Sequence, residues 1–275
     1  MPTILAGEDA MQACLAAVRR APRATALFCD IDGTIAPIVG HPADAVVPTR
    51  FKTLLRALVM RLGSVAFVTG RALDDGRRMV AVEGAAYVGT HGLQILTADG
   101  SSFTEPQAER YIDVVQRIAA LAAEELADLD GVVLEDKRTV LAIHYRLAPD
   151  ADRARHEIVA RVVEPARAAG LAISTGHFVY EIRPPVPVTK GTATRRLLAG
   201  RDLVTAVFCG DDLTDVTGFE AVHRWAEADA RRYACAVAAV TAETPPPVTE
   251  AADVQVAATE GMYEFLSRLL AAAGG

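Results

Sequence analysis

Asp30 and Asp32 stand two residues apart directly after the apolar run TALFC (25–29), and Gly33 and Thr34 follow them. A carboxylate at the end of an apolar strand loses its water, and burying it alone is costly unless a cation or hydrogen bonds compensate. One such group can serve as a nucleophile while its neighbour carries a proton. Taken alone, Asp-Gly between apolar runs also fits a tight hairpin. A second cluster favours chemistry: GDDLTD (210–215) sets Asp211, Asp212 and Asp215 behind another apolar run, TAVFC (205–209). Like charges at ~4 Å and an effective dielectric of ~20 repel by about 4 kcal/mol per contact, so converging carboxylates call for a cation. Oxygen-only ligands suit a hard ion such as Mg²⁺, which takes one or two carboxylates together with phosphate oxygens and water. The competing reading is a helix start at which Asp211 and Asp212 are caps. Thr69-Gly70-Arg71 and Lys190-Gly191 add a hydroxyl, a turn N–H and an ammonium, ordinary parts for holding a phosphoryl group.

These residues need elements that bring them together. TALFCDIDGT (25–34), SVAFVTGR (64–71) and TAVFCGDDLTD (205–215) each lead a strand-length apolar run into a polar, Gly-containing turn and a helical pattern. Runs without alternation are strands buried on both faces, as in a parallel sheet covered by helices. PTRFKTLLRALVMRLG (48–63) and KGTATRRLLAG (190–200) have helical spacing and end in Gly, which predicts crossover helices. Ligands bind at the carboxyl edge of such sheets, so the polar clusters are expected along one edge of a Rossmann-like α/β core built from residues 1–98 and 184–275.

Residues 99–183 follow a different pattern. EPQAERYIDVVQRIAALAAEELADL (105–129) predicts one long amphipathic helix, and ADRARHEIVARVVEPARAAG (151–170) a second. VVLEDK (132–137) and VLAIHYRL (140–147) predict paired antiparallel strands, with LAIS (171–174) and HFVYEIRP (177–184) as further strands. An inserted α/β cap over the active edge is expected. The proline-rich ETPPPVTEAAD (243–253) reads as a rigid connector.

Composition narrows the partners. With 51% hydrophobic and 23% charged residues in 275, a packed core is available and global disorder is excluded. Lys and Arg number 28 against 35 Asp and Glu, a net charge of −7, opposite to what phosphate neutralisation on nucleic acid requires. No apolar run reaches membrane-spanning length, and Glu8 and Asp9 stand where a signal peptide would be basic and apolar. A cytoplasmic protein without nucleic-acid or membrane partner, monomeric or weakly oligomeric, is expected. Cys14, Cys29, Cys209 and Cys235 form no CxxC pair and read as reduced apolar fillers.

The order DIDGT (30–34), TGR (69–71), KG (190–191) and GDDLTD (210–215) resembles the four motifs of the haloacid dehalogenase (HAD) superfamily of aspartate-nucleophile phosphatases. Within it, DIDGTIAPIV, VGTHGLQI (88–95), EDKxxxxxxHYR (135–146) and YEIRP (180–184) are similar to the trehalose-6-phosphate phosphatase family. The resemblance implies a HAD core with Asp30 as nucleophile, Asp32 as general acid and base, and Thr69 and Lys190 holding phosphoryl oxygens, beside Gly33 and Arg71. It implies Mg²⁺ held by Asp30, the Asp32 carbonyl and Asp211, with Asp212 and Asp215 orienting Lys190 or metal-bound water. The substrate it implies is a small sugar phosphate, trehalose 6-phosphate.

On strands, Glu135 and Lys137 share one face, as do His144 and Arg146, and as neighbours they would form a band of donors and acceptors. Such a band suits sugar hydroxyls, although cross-strand ion pairs on a wetted sheet fit as well. With the resemblance, Glu135, Lys137 and Glu181, then Arg146 and His91, are the expected sugar contacts. Two positions depart from the family pattern: Gln94 stands where Glu usually follows HGL, and Val216-Thr217 where an acidic residue usually follows GDDLTD. Phosphatases of sucrose phosphate or mannosyl-phosphoglycerate, and a non-catalytic sugar-phosphate sensor, remain alternatives.

Overall fold

The structure, a computed structural model, describes residues 3–40, 44–176 and 178–274, so His177 of the HFVYEIRP segment lies outside the described residues. Its strands, in chain order, are β1 (Ile4–Ala6), β2 (Thr25–Cys29), β3 (Ser64–Val68), β4 (Ala86–Gly89), β5 (Gln94–Leu96) and β6 (Ser102–Thr104), then β7 (Val133–Asp136) and β8 (Leu141–His144). After these come β9 (Ala172–Gly176), β10 (Val179–Arg183), β11 (Thr205–Gly210), β12 (Tyr233–Val240) and β13 (Val254–Ala257). The chain divides into two units, Met1–Phe103 with Val188–Gly275, and Thr104–Pro187.

The larger unit holds a sheet in the order β1-β13-β12-β11-β2-β3-β4-β5-β6. β13, β12, β11, β2, β3 and β4 run parallel to one another, while β1 and β5 pair antiparallel at the two ends of this run. Both faces of its centre are dry, which is why the apolar runs do not alternate with polar residues. In β2, Leu27 and Cys29 pack with Met11, Leu55 and Phe265, while Ala26 and Phe28 pack with Leu197, Phe208 and Phe219. From β2 the chain moves outward to β3 and β4; from β11 it moves the other way to β12 and β13. The reversal lies between β2 and β11, and a cleft opens at the carboxyl ends of two such strands. Asp30 follows β2, Thr69 follows β3, and Gly210 ends β11, so the polar clusters share that edge. All four cysteines are buried free thiols. Among the described residues no helix is long and apolar enough to cross a membrane.

The smaller unit is a four-stranded antiparallel sheet, β7-β8-β10-β9, with one face on helices and an apolar core around Ile118, Ile143, Ile158 and Ile182. Two details differ from the sequence reading. The first helix is broken: Pro106–Glu109 is followed by Ile112–Glu125, with Tyr111 as the cap of the second piece. The second helix carries a π segment, Val159–Val163, between Ala151–Ile158 and Glu164–Ala168. Pro165 lacks an N–H and its ring crowds the carbonyl four residues back, and a wider turn just before it relieves both. The expected connector 243–253 contains a helix, Pro246–Ala251, because a proline in its first turn needs no N–H partner. The chain divides after Phe103 and after Pro187, where 98 and 183 were expected; the first of these boundaries falls within β6, which extends the larger sheet.

Candidate active site

The site grows from two strand ends. Asp30 N–H donates to the Cys209 carbonyl over 2.9 Å, continuing the β2–β11 pairing one residue past the strand and bringing Asp30 beside Gly210-Asp211. Gly33 has φ +76, and a Cβ there would overlap the Asp211 carboxylate, so the loop after β2 can approach Asp211 only with glycine. Thr34 Oγ1 donates to Asp211 Oδ1 over 3.3 Å.

Lys190 enters from the start of the helix Lys190–Leu198, whose first turn is set by a reciprocal capping box between Thr189 and Thr192. Its Nζ donates to Asp30 Oδ1 over 2.7 Å and to Asp215 Oδ1 over 2.8 Å. Asp215 Oδ2 accepts the N–H groups of Asp211 and Asp212, both at 3.2 Å. Asp212 caps the helix Leu213–Glu227, its Oδ1 accepting from Leu213 N–H over 2.6 Å, and its side chain is exposed. Of the two residues whose roles the sequence left undivided, Asp215 is therefore the one bonded to Lys190.

Ligand oxygens of Asp30, Asp211 and Asp215 lie within 4.8 Å of one another. Both Asp215 oxygens are already engaged, which leaves Asp30 and Asp211 as the side chains with capacity for a cation. Burial is the largest influence on Asp30, which is pushed up to about 7 against the pull of Lys190. Burial, then the Asp30 charge, drives Asp211 well above the usual carboxylate range. On Lys190 burial works downward, but the charges of Asp215 and Asp30 outweigh it and hold the ammonium in its charged form. Three carboxylates around one ammonium, all hard oxygen donors, fit a divalent ion of the Mg²⁺ type.

A second group forms on the loop after β3. Arg71 clamps Asp32 with both arms, Nε to Oδ2 at 2.6 Å and Nη2 to Oδ1 at 2.7 Å. The buried Thr69 accepts the Arg71 N–H at its hydroxyl over 3.1 Å, so its own proton is available to another acceptor. Thr90 N–H donates to the Arg71 carbonyl and His91 N–H to the Thr69 carbonyl, tying this loop to the turn after β4. Both Thr90 and His91 have positive φ, 48 and 55, and the His91 ring lies over Gly70, where a Cβ would come within 2.6 Å of Nε2. The buried Thr90 hydroxyl has no hydrogen-bond partner among the described residues.

In the smaller unit, Glu135, Ala142, Glu181 and Ser174 stand in register across all four strands, on the face away from the helices. Lys137 Nζ lies 3.1 Å from Glu181 Oε1 and 3.7 Å from Glu135 Oε2, and His144 Nε2 lies 3.1 Å from that same Glu135 oxygen. Ala142, small and between the two glutamates, lets Lys137 reach both. Arg146 is placed differently from the expectation: β8 stops at His144, and Arg146 lies exposed in a turn closed by Ala148 N–H on the Tyr145 carbonyl. Thr34 as a partner of Asp211 was not read from the sequence, although it stands within DIDGT, whereas the His144–Glu135 contact is a cross-strand pair of the kind expected between these neighbouring strands.

Residues 28–250 match the profile of the family described as Trehalose-phosphatase. The chain is 35% identical over 211 residues to the trehalose-phosphate phosphatase of Mycobacterium avium (strain 104), covering 74% of this chain and 52% of that protein. It is 38% identical over 207 residues to a Mycobacterium tuberculosis (strain CDC 1551 / Oshkosh) protein described as an uncharacterized glycosyl hydrolase, covering 73% of this chain and 15% of that one. The chain thus spans about half of the first relative and a small part of the second. Its fold matches the C-terminal domain of C. albicans trehalose-6-phosphate phosphatase with a TM-score of 0.78 at 19% identity, over 95% of this chain and 96% of that one.

Proposed function

The chain belongs to the trehalose-phosphatase family, and from that premise we propose that it hydrolyses trehalose 6-phosphate to trehalose and phosphate, with Asp30 as nucleophile. The observation that carries the reading is the buried centre in which Lys190 is shared by Asp30 and Asp215 beside Asp211. An Asp30 oxygen attacks phosphorus and the bond from phosphorus to the sugar oxygen breaks, leaving an aspartyl-phosphate. Asp32 gives its proton to the departing sugar oxygen, then takes one from the water that attacks phosphorus, which releases phosphate and restores Asp30. Arg71, bonded to both Asp32 oxygens, fixes the orientation of that carboxyl group.

Lys190 and the Thr69 hydroxyl hold the phosphoryl oxygens as charge spreads over them. Mg²⁺ held by Asp30, the Asp32 carbonyl and Asp211 would supply the neutralising charge that lets an anionic carboxylate meet an anionic ester. Glu135, Lys137 and Glu181 are the proposed partners of the sugar hydroxyls: two acceptors and one donor on a rigid sheet match a neutral, hydroxyl-rich ligand. His91, stacked on the phosphate loop, is a proposed contact of the same substrate.

The test is phosphate release from trehalose 6-phosphate, sucrose 6-phosphate, mannosyl-3-phosphoglycerate and glucose 6-phosphate, with and without Mg²⁺. The expected result is a preference for trehalose 6-phosphate that needs the metal and is nearly abolished in Asp30→Asn. Faster turnover of another ester removes the trehalose reading, and full activity in Asp30→Asn removes the nucleophile.

A further inference from the structure

The helix Lys190–Leu198 begins with main-chain N–H groups that have no partner inside the helix. The local capping box answers one of them, Thr192 N–H, with Thr189 Oγ1 at 3.2 Å. The next helix supplies the partner for another. Gly191 N–H donates to Thr217 Oγ1 over 3.1 Å, and that hydroxyl spends its own proton on the Thr214 carbonyl at 2.9 Å. With its proton committed, Thr217 Oγ1 faces Gly191 purely as an acceptor. The two helices pack tightly here: a Cβ on Gly191 would overlap the Thr217 main-chain oxygen. Lys190 and Gly191 are adjacent on one helix, and Asp215 and Thr217 are two apart on the other. Two bonds thus cross at one point, Lys190 to Asp215 and Gly191 to Thr217.

We propose that Thr217 is a positioning residue for the phosphoryl-transfer site: its hydroxyl pins the amino end of the Lys190 helix to the Asp215 helix and so sets where the Lys190 ammonium stands. The argument rests on the reading of Lys190 as a holder of phosphoryl oxygens. A lysine on a four-carbon stem keeps one location only if the main chain beneath it is fixed, and a shift of about 1 Å in such a group is enough to cost about 10²-fold in rate. The Lys190 side chain is pulled from two sides by Asp30 and Asp215, so slack at Gly191 would let it follow whichever carboxylate moves. An acidic residue here would bring a further negative charge toward Lys190; a threonine accepts the N–H as a neutral group.

Thr217→Val keeps the shape and removes the acceptor, and Thr217→Ser keeps the acceptor and removes a methyl. Three readouts apply to the intact chain: kcat and KM on trehalose 6-phosphate, affinity for orthovanadate in the presence of Mg²⁺, and amide exchange at Gly191. In Thr217→Val, kcat is expected to fall about 10- to 100-fold while KM stays within about threefold, since the loss is felt where charge develops. Orthovanadate should bind about 10-fold more weakly, and Gly191 should exchange about 10-fold faster. Serine should bring all three within about threefold of wild type. A valine variant with wild-type kcat and vanadate affinity, or a serine variant as impaired as valine, overturns the proposal. Should valine not fold, Thr217→Ala against Thr217→Ser makes the same comparison. If no variant turns over trehalose 6-phosphate, the substrate reading fails by itself, and the vanadate series still decides: a graded loss restored by serine supports the positioning role, and equal affinities refute it.

Discussion

Lys190 Nζ lies 2.7 Å from Asp30 Oδ1 across 160 residues of sequence, and both side chains are almost wholly buried. Asp215, with no exposed side-chain surface, holds the same ammonium at 2.8 Å. A buried ion pair is weak evidence of net stabilisation, because desolving both partners offsets much of their attraction. Its consequence is clearer when one partner is removed. One cation here restrains two carboxylates with a third, Asp211, close by, so the centre is electrostatically strained in a direction that phosphate chemistry can use: it accepts positive charge readily and loses it badly.

Lys190→Met should therefore be destabilising as well as inactive. Removing one partner of a buried pair costs about 3–5 kcal/mol, which at about 2–4 °C per kcal/mol for a chain of this size lowers the melting temperature by roughly 10 °C. The loss should depend on pH. An acid whose folded pKa is raised, as burial raises Asp30, penalises the folded state increasingly as pH climbs above its ordinary value of 3.8. Without Lys190 that penalty deepens, so the deficit against wild type should be larger at pH 8 than at pH 5 in metal-free buffer. Equal deficits at the two pH values would show that Lys190 does not restrain these carboxylates.

Mg²⁺ should act on the same imbalance. An ion bound only by the folded state stabilises by about 2.7 kcal/mol at a concentration one hundred times its Kd. Thermal unfolding is expected to shift upward by several degrees as Mg²⁺ is raised into the millimolar range, and chelation should reverse the shift. Asp211→Asn removes one of the two carboxylates with capacity for the ion and should flatten the response. A wild type whose melting temperature ignores Mg²⁺ would leave the acidic centre without the ion assigned to it.

The centre was legible because its parts are short-range patterns: Asp30 and Asp211 each follow an apolar run within two residues, and a parallel sheet brings such run ends to one edge. Lys190 was legible as a residue type at a helix start. The Arg71–Asp32 clamp was not, since it depends on the loops after β2 and β3 curling toward each other, which no local spacing encodes. The role of Thr217 was hidden for the same reason: the sequence marks the position only as a departure from the family pattern, and its partner lies 26 residues earlier. The break near Tyr111 and the π segment before Pro165 escaped because apolar periodicity registers a helix's face and is nearly blind to one residue gained or lost within it.

Gly33→Ala tests the close approach of the first loop to Asp211. Alanine at φ +76 costs about 1 kcal/mol in backbone strain, and its Cβ would occupy the space of the Asp211 carboxylate. Asp211 must turn away or the loop must open, so Mg²⁺ affinity read by calorimetry is expected to fall at least about 10-fold, with activity falling alongside. Gly40→Ala is the control, since among the described residues a Cβ there meets nothing within 4 Å. If Gly33→Ala binds Mg²⁺ as wild type does, the loop and Asp211 are not in contact.

His223 offers a pH-dependent contact away from the acidic centre. On the helix Leu213–Glu227, its Nε2 lies 2.8 Å from Asp253 Oδ2, which also accepts Ala236 N–H over 2.7 Å, so the pair ties the helix to β12 and to the approach to β13. The bond to Asp253, aided by the charge of Glu227, raises His223 above its ordinary 6.5. Asp253 is lowered: burial works upward, and the bonds from His223 and Ala236 outweigh it. A raised histidine contributes stability that is complete below 6.5 and lost as pH rises through its folded value; a lowered aspartate contributes stability that is complete above 3.8 and lost as pH falls through its folded value. The two overlap between about pH 4 and 6.5. Because both side chains are about one-third exposed, solvent screening limits the pair to a fraction of a kcal/mol, or a shift of about 1–2 °C. His223→Gln is therefore expected to melt below wild type by that amount at pH 5.5 and to match it near pH 9, where a neutral imidazole and a glutamine amide are equivalent donors to Asp253. A gap that widens as pH rises would mean that His223 is held neutral in the folded state and that its partner is not the Asp253 charge.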